Sequence, residues 1–431
     1  MKINKILQLP SNTQVTVSGW VFTTRKQKNI SFITINDGSN TNGIQLIVEN
    51  NDTKYSIGTS IKVTGTLVES PAQEQDKEIN VETIQIIGPV YDDYPLSKNK
   101  ISLDTLRNYH HLRTRTKTFR SVFRIKSTIW SATDLFYQKH NYLRLDPNVI
   151  TINECEGGAG VFSVCEDKQL SWDKDHFNKP VYLTVSSQLH LEALACSLGS
   201  VYTMNKSFRS EHSNTNKHLS EFTHLEIEDI FCTLDDLMEH AEEYIKFIIQ
   251  YVLEVNQDDI KALNGFISKG LIDRLTHILE TDFKKIEYRE AIELVNGTYG
   301  EDLSSEQENK LTELFNGPVF VINWPSEIKS FYMKENGDGT CSSFDLLMPY
   351  GIGELIGGSM REENYDVLMD KIKKNNIDET NLQFYIDLRK YGTVEHGGYG
   401  LGLDRLTMLL TGMNNIKDTI PFPVSYQNCN Y

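Results

Sequence analysis

The sequence is short of several things that would declare a function at once. Its six cysteines (Cys155, Cys165, Cys196, Cys232, Cys341 and Cys429) stand apart with no CxxC pair. That spacing excludes a zinc ribbon and a disulfide framework and points to reduced thiols. The eleven histidines contain no HExxH, so a metalloprotease-type metal helix is absent. There is no GxxxxGK(S/T) phosphate loop and no kinase signature set. No apolar run approaches the length of a membrane span. The opening residues, MKINKILQLPSNTQ, lack the apolar centre of a secretory signal, so cytoplasmic residence with no membrane partner is the expectation. Excess basic charge is also missing: 43 Lys and Arg face 59 Asp and Glu, for a net −16. This excludes generalised coating of nucleic acid but leaves room for a local basic surface.

What is present fits two or three soluble domains. The chain has 431 residues, 39% hydrophobic and 24% charged, enough to build sizeable cores. TQVTVSGWVFTTRKQ, ISFITINDGS, GIQLIVEN, SIKVTGTLVE and EINVETIQIIG are short runs rich in Val, Ile and Thr, separated by turn residues. They predict five strands within residues 13–88, and a small barrel of the OB type is the economical arrangement. GPVYDDYPLSKNK then breaks the pattern. The expected boundaries are a barrel over 1–88, a hinge over 89–110 and a larger domain over 111–431.

The larger domain has a different texture. TKTFRSVFRIKSTIWSATDLFYQKHN carries Phe119, Phe123, Ile129 and Leu135 at helical spacing. It runs into NYLRLDPNVI, which reads as a strand interrupted by Pro147. Further strands are expected at PVYLTVSS, SVYTMNKSFRSE, THLEIEDIFC, PVFVINW, SSFDLLMP, GELIGGSMR, QFYIDLRKYG and GGYGLG. Thr233 opens a helix with a capping signal, followed by Leu237, Ala241, Tyr244, Ile248 and Val252 as its core stripe. The sum is an α+β domain, an antiparallel sheet with helices packed on it.

Chemistry concentrates in four places. In FRSEHSNTNKHLSEFTHLEIEDI, Arg209 and Glu211 stand two apart on a strand, so both face one side of the sheet, and the chain returns through Phe222, Glu226 and Glu228. This suits a multivalent anion, or else a solvated hairpin with a charge ladder. In SSFDLLMPYGIGELIGGSMREE, Asp345 and Glu354 are hard oxygen donors among apolar neighbours, suited to Mg²⁺ with substrate phosphates completing the shell. Arg361 follows two glycines. Arg405 follows GGYGLGLD, where the glycines either admit a nucleotide or form a turn capping a core helix. A doubly wound dinucleotide fold would need those glycines after an early strand. Here they come last, and an ATP-binding antiparallel sheet is the reading left.

These residues sit in ordered segments that resemble the class II aminoacyl-tRNA synthetases. The likeness is to the aspartyl, asparaginyl and lysyl subgroup, and most closely to its asparaginyl members. It runs from SGWVFTTRKQKNISFITINDGS through HLRTRT, ITINECEGGAG, YLTVSSQLHLE, FRSEHSNTNKHLSEF and GIGELIGGSMREE to YGTVEHGGYGLGLDRL and NNIKDTIPFP. The resemblance implies an OB-fold anticodon-binding domain, a class II catalytic domain, and a homodimer through the helix ending at Pro147. The implied reaction joins L-asparagine to tRNA(Asn) with ATP and Mg²⁺, through an asparaginyl-adenylate. Arg209 would meet the α-phosphate, and Phe222 and Arg405 would sandwich the adenine. Glu211 would lie near the adenine edge and the tRNA end, and His218 near the polyphosphate. Asp345 and Glu354 would hold the metal, with Glu354 counted also in the ATP site. Glu156 and Gln188 would hold the α-ammonium. Arg25, Phe32 and Gln45 would read the central anticodon base, with RKQK supplying local positive charge; Phe32 as a barrel core residue is the alternative.

Choice of amino acid rests on fewer residues. The aspartyl enzymes carry a lysine where this chain has Leu191, and an aspartate where it has Glu226. Without that lysine an aspartate side chain would lie poorly compensated. Glu226 as acceptor and Arg361 as donor suit a carboxamide. Leu191 as a plain core leucine is the alternative. Three positions depart from the resemblance: Lys217 where arginine is usual, Glu395 where proline is, and Val424 where arginine is common. An aspartyl-specific enzyme, a catalytically silent tRNA-binding relative and an ATP-dependent asparagine synthetase stand as rivals. The barrel argues against the last.

Overall fold

A computed structural model describes the chain except for residues 50–52, 54, 72–74, 98–100, 154–159 and 167–170. It divides into two compact units, Met1–Arg124 with Asp258–Ile267, and Ile125–Gln257 with Ser268–Tyr431. The first unit thus takes in a segment from the second half of the sequence.

The first unit opens with a single helical turn, α1 (Ile3–Ile6), and continues through β1 (Gln14–Gln27), β2 (Ile30–Asn36), β3 (Ile44–Glu49), β4 (Ser60–Glu69) and β5 (Lys77–Gly88). All five expected strands are present, and they close into a barrel in the order β1-β2-β3-β5-β4. Alternation does the work: Val15, Val17, Ile33, Ile35, Leu46, Val48, Ile61, Val63 and Ile79 all point inward. Ile3 and Ile6 join that same core, so α1 packs against the barrel interior. Two short turns follow, α2 (Leu103–Leu106) and α3 (His110–Arg113).

The long helix α4 (Lys117–Lys139) comes next. Its buried stripe is Phe119, Val122, Ile125, Ile129, Ala132 and Phe136, whereas Leu135, expected inside, is exposed. NYLRLDPNVI is not one interrupted strand. β6 (Leu143–Arg144) joins the main sheet, while β7 (Ile150–Thr151) joins β8 (Phe162–Ser163) and β9 (Tyr182–Leu183) in a small separate sheet. The run after β9, read as a strand through Ser187, ends early and becomes helix α5 (Gln188–Leu198). β10 (Val201–Phe208) and β11 (Glu221–Ile230) form the hairpin.

The helix α6 (Leu234–Val255) starts as expected, with a reciprocal cap between Thr233 and Asp236, and buries Leu237, Ala241, Tyr244, Ile248 and Val252. α7 (Gln257–Phe266) supplies the segment that belongs to the first unit. There the buried Asp259 carboxylate accepts hydrogen bonds from Thr41 (2.6 Å), Ser121 (3.0 Å) and Arg124 (3.0 Å). Then come α8 (Leu271–Glu280), β12 (Lys284–Glu287), α9 (Tyr288–Leu294), α10 (Ser305–Leu314), β13 (Val319–Ile322), β14 (Ser343–Met348), β15 (Gly353–Met360) and α11 (Tyr365–Lys374).

QFYIDLRKYG, expected as a strand, is helix α12 (Gln383–Lys390). Tyr385 and Arg389, one helical turn apart, both reach the Glu192 carboxylate (2.9 Å each), a convergence that a strand, on which they would share a face but stand about 13 Å apart along its length, would not allow. β16 (His396–Gly402) and α13 (Leu403–Thr411) complete the chain's regular elements.

The main sheet has the order β12-β13-β14-β15-β16-β11-β10-β6. Its six central strands are antiparallel, as expected, but both outer pairs, β12 with β13 and β6 with β10, are parallel. Among the described residues, no helix is long and apolar enough to cross a membrane.

Candidate active site

The registers of β14, β15, β16 and β11 set one row of residues side by side: Asp345, Gly357, Gly400 and Glu226. A second row runs Ser343, Ser359, Gly398 and Glu228. Strand partners share a face, so these two rows form one floor. None of Gly397, Gly398 and Gly400 takes a positive φ, so backbone freedom is not why they are glycine. Space is. A Cβ at Gly398 would lie 2.6 Å from the Glu228 carboxyl carbon, and one at Gly400 2.6 Å from His224 Nε2. The glycine run clears the floor beside the acids.

Glu226 is buried, and its oxygens accept from the Ser187 N–H (3.0 Å to each) and the Ser186 hydroxyl. The start of α5 thereby fixes the carboxylate. Arg361 is held by Glu228 through Nε (3.2 Å to both oxygens) and Nη2, and by Ser359 through Nη1 (2.7 Å). Of its five N–H groups, three are so engaged, which leaves one on each Nη among the described residues. Against the pull of burial, Glu228 and Glu192 keep Arg361 charged. Burial pushes Glu228 up, and Arg361 opposes that shift.

Beneath this pair lies a network that the sequence did not disclose. Glu192 is wholly buried and accepts from Gln188 Nε2 (3.0 Å), Tyr385 OH (2.9 Å), Arg389 Nη2 (2.9 Å) and His396 Nε2 (3.1 Å). Despite burial, Arg389, His396 and Arg361 hold its carboxyl well below the usual range. Gln188 is therefore oriented from below. Leu191 and Gln188 lie on a helix, not a strand, and Leu191 is fully buried in an apolar cluster with Ala195 and Val201. Glu156 lies outside the described residues.

Arg209 and Glu211 were expected to share a strand face, but β10 ends at Phe208. The Arg209 N–H bonds to Ser220 O (3.0 Å), extending the hairpin by one step, and its guanidinium lies 5.4 Å from the Phe222 ring centre. Glu211 stands exposed in the loop beyond. His218 Nδ1 meets Ser213 Oγ at 2.7 Å in that same loop. Arg405, in the first turn of α13, donates from Nη1 to the Glu354 carbonyl.

Asp345 and Glu354 converge over a glycine: a Cβ at Gly357 would be 3.6 Å from Asp345 Oδ1 and 3.2 Å from Glu354 Oε1. The other Asp345 oxygen accepts from Lys329 (2.9 Å). Burial, opposed by Lys329 and reinforced by Glu354, pushes Asp345 up to about 6. Among the described residues no group of three His, Cys, Asp or Glu side chains gathers for a metal. Two carboxylates with mutual repulsion suit Mg²⁺, which takes one or two protein oxygens and completes its shell from phosphates and water.

Of the three departures, Lys217 has its pKa lowered, chiefly by burial, with Glu308 opposing and Arg405 adding. Glu395 pairs with Lys334 (3.1 Å). Val424 accepts the Ser220 N–H through its carbonyl (2.9 Å).

In the barrel, Phe32 is not a core residue. Its neighbours Ser31 and Ile33 point inward, and Phe32 faces outward, paired across strands with Arg25, whose guanidinium lies 4.9 Å from the ring centre. Gln45 sits two residues before Phe32's other strand partner, Ile47, and donates to the buried Glu78 (2.8 Å).

A helix-flanked antiparallel sheet with glycine-cleared acids, joined to a nucleic-acid-type barrel, defines a class, and family comparison agrees. The chain belongs to the class II tRNA synthetases of the D, K and N group, whose family model matches residues 102–426, with an OB-fold nucleic acid binding domain over 15–87. Within that group its relatives are asparagine–tRNA ligases. The one from Clostridium tetani is 40% identical, covering 96% of this chain and 95% of that protein. The asparaginyl-tRNA synthetase of Pyrococcus horikoshii, solved with asparaginyl-adenylate, superposes with a TM-score of 0.86 at 31% identity over 96% of this chain and 95% of that one. The Entamoeba histolytica asparaginyl-tRNA synthetase, also with asparaginyl-adenylate, gives 0.85 at 30% over 98% of each. A putative aspartyl-tRNA synthetase from Leishmania major, at 21% identity and 0.83, shares the fold.

Proposed function

We infer that the chain is an ATP-dependent asparagine–tRNA ligase working through an asparaginyl-adenylate. The observation that carries this reading is the row Asp345–Gly357–Gly400–Glu226, which puts a two-carboxylate corner and a fixed acceptor on one bare floor. ATP would lie along it, with Phe222 and Arg405 about the adenine and Arg209 at the α-phosphate. Glu211 and His218 reach toward the nucleotide from the loop. The asparagine carboxylate attacks the α-phosphorus in line, forming the mixed anhydride as the bond to pyrophosphate breaks. The 3′-terminal ribose hydroxyl of tRNA(Asn) then takes the acyl group and AMP leaves. No protein nucleophile is needed; positioning and charge stabilisation supply the acceleration. Asp345 and Glu354 would hold Mg²⁺, which when bound neutralises charge on the phosphates.

Specificity follows from charge. Glu226 accepts from the side-chain NH₂, the remaining Arg361 N–H groups donate to the carboxamide oxygen, and Gln188 with Glu156 receives the α-ammonium. Glu226 is a buried acceptor already fixed by Ser186 and Ser187, so the second carboxylate that aspartate would bring faces it in a desolvated site, and this penalises it. Arg25, Phe32 and Gln45 read the anticodon, a homodimer forms through α4, and residence is cytoplasmic.

The test is pyrophosphate exchange with asparagine and aspartate in parallel, followed by charging of tRNA(Asn). Exchange with asparagine and transfer to tRNA(Asn) is the expected result. Exchange with aspartate alone would overturn the amide reading, and none with either would favour a binding protein.

A further inference from the structure

We propose that Lys126 and Asp404 are positioning residues of the nucleotide site, a buried ion pair that sets the gap between Phe222 and Arg405. The proposal rests on the adenine reading of those two side chains given above.

Asp404 is 1% exposed and touches two parts of the molecule at once. Its Oδ2 accepts the backbone N–H of Thr223 (2.9 Å), the residue after Phe222. Asp404 itself is the residue before Arg405. One carboxylate therefore ties the β11 end that carries the ring to the α13 start that carries the guanidinium. Its second oxygen takes the Lys126 ammonium, delivered from α4.

Lys126 does more than neutralise Asp404. Its Nζ also donates to the Thr419 carbonyl (2.8 Å). The segment around Thr419 fastens the loop between β10 and β11: Ile416 N donates to Asn216 O (2.8 Å), Lys417 Nζ to Asn214 Oδ1 (2.8 Å), and Ser220 N to Val424 O (2.9 Å). That loop bears His218 and follows Arg209. Three pieces of the nucleotide site thus converge on one ammonium. Burial lowers the Lys126 pKa, and Asp404 opposes that shift without cancelling it. Each charge meets the other and one backbone group, so removing either partner leaves a buried charge unpaired at the junction of the three pieces. Neither residue touches ATP in this scheme. Their effect is on where Phe222 and Arg405 stand.

The experiment is steady-state pyrophosphate exchange on the full chain, with KM for ATP and for asparagine measured separately. Lys126→Met should raise the ATP KM at least tenfold while the asparagine KM stays within twofold, and Lys126→Arg should recover most of the loss. The double variant Lys126→Met/Asp404→Asn, which leaves no unpaired buried charge, keeps the test open if the single variant does not fold. It too should raise the ATP KM selectively. An unchanged ATP KM in either variant, or equal rises for ATP and asparagine, would overturn the proposal. Phe222→Ala and Arg405→Ala separate the two levels. If they raise the ATP KM and the Lys126 variants do not, the positioning role alone fails. If they leave it unmoved, the adenine reading fails first, and the positioning role falls with it.

Discussion

Glu192 shows how much of this site hangs on single side chains. Four donors from three elements meet its two oxygens, and Gln188 and Arg389 are each aimed by it. Arg361 stands in the same relation to Glu228. Arg361→Lys keeps the charge but cannot reproduce the fork on Glu228 or reach Ser359 as well. It is expected to cost about 3 kcal/mol, roughly a hundredfold in kcat/KM for asparagine. Asparagine-dependent exchange measures this, and a loss under threefold would remove Arg361 from the pocket. Leu191 gives the opposite case. An ammonium there would sit among Ala195 and Val201. Leu191→Lys is expected to lower the unfolding free energy by about 3 kcal/mol and to weaken asparagine activation with it. Urea denaturation checks the first and exchange the second.

At the level of elements, α4, α6 and β16 meet in a cluster of hydroxylated rings. Tyr399 OH lies 3.0 Å from both Tyr137 OH and His240 Nδ1. Burial, aided by His140, brings His240 down from 6.5 to about 4. Its Nε2 meets no hydrogen-bonding partner among the described residues. The unfolded chain therefore binds a proton on this residue between pH 6.5 and 4 while the folded protein does not. Stability is full above pH 6.5 and falls as pH drops through that window. At 1.36 kcal/mol per pH step the group accounts for about 3 kcal/mol. His240→Phe should flatten that part of the acid limb in thermal or urea unfolding; an unchanged slope from pH 6.5 to 4 would contradict it.

Elements also explain what could be read in advance. The barrel was legible because each strand alternates cleanly, as Val15, Val17 and Ile33, Ile35 do. α6 was legible from Thr233 and its stripe. α12 was misread because Phe384, Tyr385 and Ile386 are strand formers by composition, and only the reach of Tyr385 and Arg389 to Glu192 decides for a helix. The segment from Gln188 failed for a related reason, since TVSS continues a strand pattern until Ser186 and Ser187 turn to hold Glu226. Arg209, Arg361 and Arg405 stood out by their setting near glycine or charge. Glu192, Arg389 and Lys126 did not, because their meaning lies in partners up to 278 residues away.

For the whole molecule, the division of labour between anticodon and amino acid should be separable. Phe32→Ala removes an outward ring from the barrel, not a core side chain, so folding is spared. It is expected to cost about 1–3 kcal/mol in tRNA binding, roughly 5- to 150-fold in the tRNA KM, with pyrophosphate exchange within twofold of the parent. A fall in exchange of the same size would show that the ring serves the fold instead.

The first unit nonetheless draws its residues from two stretches of the chain. Residues 258–267 leave the catalytic half, lend Asp259 to Thr41, Ser121 and Arg124 of the other, and return. Trimming the gene at a single point therefore cannot yield a tidy catalytic fragment. Whatever begins at Ile125 keeps, in its middle, ten residues whose carboxylate has lost Thr41, Ser121 and Arg124, and a usable truncation must replace that stretch as well.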